Sequence, residues 1–309
     1  MDAQETSLPV ARDAGTDVLW STFQPVSNFA ELQRLLPGAA RQLTRSALFA
    51  ALMSIGFLNG VSEKVLNALD SQGLALAIFG TFGISAIVWI AAFMGIRLLL
   101  DTDAGPPPSR TDLAVATVAS AAILAPVPSL SWLAISGMAA HLLFTSRSPG
   151  PTRRAAAILL AMTIPVFWSR LLFAAGGNEL LIADALIVGM LVGTGSEGNT
   201  VALADGSGWL FIAAGCSSIT NVSIAILCSV LFVTSYAEGW TLRSMVVAGL
   251  ACAATVLINV MRIALIGRDP SLYPIVHGQI GDTLTGWLTL IVIAMICTIG
   301  MRTHASATR

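Results

Sequence analysis

Charge is what this sequence has least of. Only 11% of its 309 residues are Asp, Glu, Lys or Arg, against about a quarter in a soluble domain, and 16 basic residues nearly balance 17 acidic ones. A net charge of -1 leaves no basic surface for nucleic acid and no acidic tail. Cysteine is also sparse. The four thiols, Cys216, Cys228, Cys252 and Cys297, form no CxxC pair and no His-interleaved ligand spacing, which argues against a zinc site and a disulfide scaffold. The first 40 residues contain no early apolar h-region, so no cleavable signal peptide is expected. No Gly-x-Ser-x-Gly motif is present to serve a serine nucleophile.

Apolar residues make up 55% of the chain, with a mean hydropathy of +0.80. These values predict an all-α integral membrane protein. Taking roughly 20 apolar residues per crossing, about eight transmembrane helices are expected, at 46 to 62, 74 to 99, 112 to 126, 129 to 145, 155 to 173, 216 to 236, 244 to 267 and 283 to 301. The third and fourth are short and divided by Pro126-Val127-Pro128, so they are either two spans or one kinked hairpin. Arginine bias provides an independent test. With both termini cytoplasmic, twelve of the sixteen basic residues fall inside, and only Lys64, Arg170, Arg262 and Arg268 fall outside.

The chain then divides into four regions. Residues 1–45 form a cytoplasmic segment in which Phe29, Leu32, Leu35 and Leu36 have the spacing of an interfacial helix, or else belong to a loose tail. Residues 46–173 form a scaffold of transmembrane helices, 174–301 a region where polar residues gather toward the outer face, and 302–309 a cytoplasmic tail. The longest external segment is expected at 174 to 215. Within it Leu180 to Val192 is too short to span and reads as a half-helix, while Asp205-Gly206 between Thr200–Leu203 and Trp209–Ile212 predicts a small β-hairpin-like element on the extracytoplasmic face.

Three residues from consecutive segments converge there. Cys216 precedes an apolar helix beginning near Asn221. Ser217 or Ser218 could cap that helix, and its N-terminal end would favour a thiolate. The alternative is a small buried thiol, which is the reading for Cys228, Cys252 and Cys297. Arg262 interrupts an apolar helix near its outer end, with Asn259 one turn earlier on the same face; it either faces the bundle or snorkels, as Arg268 and Arg170 are expected to do. His277 is the only histidine predicted outside. Asp282 either orients it or caps the last helix, and His141 and His304 belong elsewhere. Cysteine, arginine and histidine together are the parts of cysteine acyl transfer: nucleophile, oxyanion stabiliser and general acid/base.

At these residues the chain resembles the exosortase/archaeosortase family of multi-pass membrane transpeptidases. Cys216-Ser217-Ser218-Ile219 is similar to the family's Cys-Ser-Gly-Ile, Asn259-Val260-Met261-Arg262-Ile263 to its Asn-x-x-Arg-Ile, and His277-Gly278 to its outer-loop histidine and glycine, in the same order. Ser218 stands where glycine is usual, and Thr220 where many members have arginine. The resemblance implies a cysteine peptidase of the bacterial inner membrane with its active site outside. It would cleave exported proteins bearing a C-terminal sorting tail of the PEP-CTERM kind through a thioester on Cys216, and pass the acyl group to an acceptor the sequence does not name. Arg262 would hold the oxyanion, His277 would protonate the leaving amine, and no metal or organic cofactor is called for. The competing expectation is a multi-pass transporter or lipid-linked substrate handler in which Arg262 binds an anion; a purely structural subunit is a third.

Overall fold

The computed structural model describes residues 43–101, 106–146, 150–236 and 239–302. The chain divides into two units, Met1–Leu43 and Thr44–Arg309. The helix expected around Phe29 to Leu36 and the tail carrying His304 lie outside the described residues. The helices, the sheet and the candidate site all belong to the second unit.

That unit is built from helices. Thr44 opens α1 (Arg45–Phe79) by accepting a hydrogen bond from the Ala47 N–H at 3.2 Å. By hydropathy the first apolar run ends at 62, yet α1, 35 residues long in all, continues to Phe79. The residues after 62 are more polar, but Val61, Val65 and Ala68 keep one face against the bundle. Gly73, with φ 75°, breaks the last turns, so the apolar run at 74 to 99 is divided between the end of α1 and α2 (Ala86–Leu100). Between them a tight turn places Thr81 and Phe82 in the left-handed region. Next come α3 (Arg110–Leu124), opened by a Ser109/Asp112 capping box, and α4 (Pro128–Thr145), begun by the second proline of the predicted turn.

The fifth apolar run and the expected half-helix are not separated by a loop. α5 (Pro151–Thr163), a wide turn at Ile164–Trp168 and α6 (Ser169–Val192) form one helical run. Pro165 lacks the N–H that an α-helix would use, and the run absorbs the defect by widening there. Gly176 (φ -144°, ψ 24°) bends it a second time. The external segment predicted from 174 is therefore helical as far as Val192, with the predicted half-helix as its final stretch.

A three-stranded antiparallel sheet in the order β1-β2-β3 comes next, comprising β1 (Ser196–Glu197), β2 (Thr200–Ala202) and β3 (Trp209–Phe211). β2 and β3 are the predicted hairpin, and β1 is an addition to it. In the connecting turn the Ser207 hydroxyl and N–H both donate to Asp205 (2.7 and 2.9 Å), holding its carboxyl below the usual range. Then come α7 (Ser218–Tyr236), α8 (Leu242–Arg268), the short α9 (Tyr273–Val276) and α10 (Gln279–Arg302).

Among the described residues five helical runs are long and apolar enough to cross a membrane: Arg45–Phe79, Pro151–Val192, Ala214–Tyr236, Leu242–Arg268 and Gly281–Gly300. α2 is apolar but only 15 residues long. The main core joins α1 to α5 with α7, around Phe49, Met53, Ile135, Met138 and Leu159. Close approach is made possible by glycine; a Cβ on Gly95 would sit 2.6 Å from Leu159 Cγ. A second core holds Cys228 and Cys297 between α7, α8 and α10, with Cys252 packed against it. A third, formed by Leu181, Ala185, Val188, Val201, Ile212, Val260 and Ile263, ties α6, the sheet and α8 together beneath the candidate site.

Candidate active site

After β3 the buried Ile212 is held on both sides by Asn199, whose carbonyl accepts from the Ile212 N–H at 2.9 Å and whose side-chain amide donates to the Ile212 carbonyl at 3.2 Å. The chain then makes one 3-10 turn, Ala214–Cys216, and α7 begins at Ser218. Cys216 therefore precedes the helix, as expected, although the helix starts three residues earlier than Asn221. The expected serine cap is present but weak, and a carboxylate shares the helix terminus with it. The Ser217 hydroxyl reaches the Ile219 N–H only at 3.4 Å, whereas Asp184 of α6, 5% exposed, accepts from the Ser218 N–H at 3.0 Å and the Ser218 hydroxyl at 2.8 Å. A carboxylate thus neutralises the positive end of α7. The helix terminus is already occupied, so the thiolate stabilisation expected from it is offset by the carboxylate.

Asn259, one turn before Arg262, holds the cysteine's backbone. Its amide donates to the Cys216 carbonyl at 2.7 Å and to the Ser218 hydroxyl at 3.1 Å, while its oxygen accepts from Asn221 at 3.3 Å. Asn259 is buried, and every polar atom of its side chain has a partner. Its assignment as a supporting residue rests on these bonds. Ser217, another of the expected supports alongside Asp282, is buried, and its hydroxyl contributes only the long contact above.

His277 arrives on the turn between α9 and α10. Asp269 starts this segment by accepting from the Ser271 N–H and hydroxyl, and the His277 N–H donates to the Tyr273 carbonyl at 2.8 Å. Two glycines let the chain fold back on itself. A Cβ on Gly278 would lie 2.3 Å from the Pro274 carbonyl oxygen, and one on Gly281 would lie 2.3 and 2.4 Å from those of Ile275 and Val276. This backbone path brings His277 Nε2 to 2.9 Å from Cys216 Sγ.

On the other side of the ring, Nδ1 lies 3.3 Å from Arg262 Nη2 and 4.0 Å from Asp282 Oδ1, and Arg262 is itself paired with Asp282. Arginine can only donate and carboxylate can only accept. Nδ1 thus has a hydrogen-bond donor for its lone pair, while the carboxylate at 4.0 Å can favour a proton there by charge but is too far to hydrogen-bond it; Nε2 can present either a lone pair or an N–H to the sulfur. Arg262 Nε and Nη2 also donate to the Val276 carbonyl at 3.1 and 3.0 Å. Among the described residues no hydrogen bond from its Nη1 is seen. Arg262 is first a brace for the His277 turn, and any oxyanion contact falls to Nη1.

Cys216 and His277 open onto a cavity of about 340 Å³ whose other walls are β3, Ile263 and Ile266 of α8, and Tyr273. Its lining is apolar except at the Cys–His pair and the tyrosine. Among the described residues no group of three or more His, Cys, Asp or Glu side chains converges as a metal site. Sequence reasoning misses Asp184, Asn221 and Gly281. Asp184 left one signal, a lone acid within the apolar stretch Leu180 to Val192. The chain matches no family model, no curated protein and no solved structure.

Proposed function

We propose that the chain is a membrane-embedded cysteine transpeptidase or endopeptidase of the exosortase/archaeosortase kind, acting on exported proteins with a C-terminal sorting tail. The single observation that carries this reading is the 2.9 Å approach of Cys216 Sγ to His277 Nε2, with Arg262 and Asp282 on the opposite ring nitrogen. The Cys216 thiol proton passes to Nε2, and Asp282 faces the proton on Nδ1 of the resulting imidazolium. The sulfur attacks the scissile carbonyl carbon. The C–N bond breaks as Nε2 returns its proton to the leaving amine, which departs and leaves a thioester. An incoming amine or water then attacks the thioester, losing its proton by way of Nε2 to the departing sulfur. Enclosure of the Cys216–His277 pair in a largely apolar cavity strengthens the attraction between thiolate and imidazolium.

In this reading α2, α3 and α4 complete eight crossings with the five long runs, α6 contributing its half-helix without a further crossing. The arginine bias sets both termini in the cytoplasm and the Cys216 end of the bundle outside, in a bacterial inner membrane. Co-expression with a tagged exported protein from the same genome, one whose C-terminus ends in an apolar helix and basic residues, tests it. Tail removal by wild type and not by Cys216→Ala, together with a hydroxylamine-labile adduct on Cys216, is the expected result. Equal processing by both proteins would overturn it.

A further inference from the structure

The sheet beside the nucleophile has one edge that nothing in the described structure covers. In β2 and β3 the register pairs Val201 with Leu210, and the flanking bonds run from the Ile212 N–H to the Asn199 carbonyl and from the Leu203 N–H to the Gly208 carbonyl. Antiparallel pairing alternates, so Leu210 directs its N–H and C=O toward β2, whereas Trp209 and Phe211 direct theirs away. Those four backbone groups have no hydrogen-bond partner among the described residues. The opposite edge is different in kind, since β1 is two residues long and carries Glu197. Exposed edges are commonly blunted in this way, by shortness, charge or proline. The edge of Trp209-Leu210-Phe211 carries neither charge nor proline, and the side chains of Trp209 and Phe211 are exposed.

This open edge leads directly to the chemistry. Four residues separate Phe211 from Cys216, and the same strand forms one wall of the cavity onto which Cys216 and His277 open. A ligand able to satisfy alternating donors and acceptors along such an edge is an extended polypeptide backbone. We infer that the substrate binds as a fourth strand on β3, paired with the outward N–H and C=O groups of Trp209 and Phe211, and that this pairing lays the scissile carbonyl against Cys216. The inference rests on Cys216 being the nucleophile. It makes recognition near the cut depend on main chain, with the apolar cavity reading one side chain.

The test uses the full chain in detergent and a peptidyl chloromethyl ketone, acetyl-Leu-Ala-Leu-CH₂Cl. The Cys216 sulfur displaces chloride from this probe to form a thioether, followed by mass spectrometry. Versions N-methylated at each amide in turn are compared. Strand pairing uses every second amide, so methylation should slow Cys216 alkylation about tenfold or more at alternate positions and hardly at the position between. Phe211→Pro removes one outward N–H where an edge tolerates proline, and should slow the unmethylated probe by a similar factor relative to Phe211→Ala, which loses the same ring but keeps the N–H; iodoacetamide labelling of Cys216 in both variants reports an intact site. Equal rates for all methylated probes, with Cys216 still alkylated much faster than Cys252, would overturn edge pairing and leave the nucleophile reading standing. Alkylation of Cys216 no faster than Cys252 by every probe would overturn both.

Discussion

Two clusters in this molecule are built from the same three side-chain types. At the end of the bundle where α1 and α3 begin and α4 finishes, Asp112 accepts from Arg45 Nε and pairs with His141 Nε2, each at 2.8 Å, while Arg45 also bonds Thr145. At the other end Arg262, Asp282 and His277 meet Cys216. The difference lies in where the carboxylate sits. The Asp112 side chain is 4% exposed and central, taking both partners and the Ser109 cap. The Asp282 side chain is 56% exposed and peripheral, 4.0 Å from the imidazole, which leaves Nε2 to the sulfur. His141 gives its Nε2 to a buried acid, whereas His277 directs one nitrogen at a thiol beside a cavity, the arrangement on which the proposed chemistry rests.

Exchanging the histidines should separate the two roles most sharply. His277→Ala is expected to lower the processing rate by about 10²- to 10⁴-fold with little change in thermal unfolding. His141→Ala should do the reverse, losing about 1.5 to 3 kcal/mol of stability as a hydrogen bond to a charged group disappears, with the rate per folded molecule nearly unchanged. Processing assays beside melting curves check both, and equal loss of activity in the two variants would break the distinction. The aspartates should differ next. Asp112→Ala leaves Arg45 without its partner and should cost about 3 to 5 kcal/mol. Asp282→Ala should cost under about 1 kcal/mol and act on the rate instead, since it removes the carboxylate facing Nδ1. Denaturation and turnover measured on the same preparations decide it.

Much of this contrast can be traced to the sequence, and the part that cannot has a physical reason. Arg262 interrupting Met261 and Ile263, and the histidine at 277, mark one end of the bundle because polar residues within apolar runs are costly and few. Asp205-Gly206 announces the β2–β3 turn through local backbone preference. Asp184 as the cap of α7 was not legible, because it lies 34 residues from Ser218 and local capping rules see only a few residues ahead. The run-through of α1 and the joining of α5 to α6 escaped for a related reason. Hydropathy finds where a segment can cross, but a helix continues wherever one face still packs.

Gly281→Ala addresses how the reactive histidine is held. The added Cβ would press on the Ile275 and Val276 carbonyl oxygens at 2.3 and 2.4 Å, and Val276 is the residue Arg262 grips. Backbone must move, at about 1 to 3 kcal/mol, and His277 moves with it. Turnover should fall about tenfold or more, since a 1 Å misplacement can cost up to a hundredfold, while iodoacetamide still labels Cys216. Unchanged turnover would show that the fold-back does not set the geometry.

The smallest effect is the most informative about the cysteine. Asp184 accepts two hydrogen bonds at the start of α7 and sets a buried negative charge close to Cys216. Asp184→Ala should therefore cost about 1 to 2 kcal/mol as a lost cap, seen in thermal unfolding. The same change releases the positive end of α7 to the sulfur, so alkylation of Cys216 should quicken even as the protein weakens. Ser218→Gly restores the glycine usual in the resembling family, keeps the backbone N–H to Asp184 and loses only the hydroxyl bonds to Asp184 and Asn259. It should cost less and leave the alkylation rate nearly as it was. If both variants accelerate alkylation equally, the serine hydroxyl and not the carboxylate restrains the thiol, and the role assigned to Asp184 is wrong.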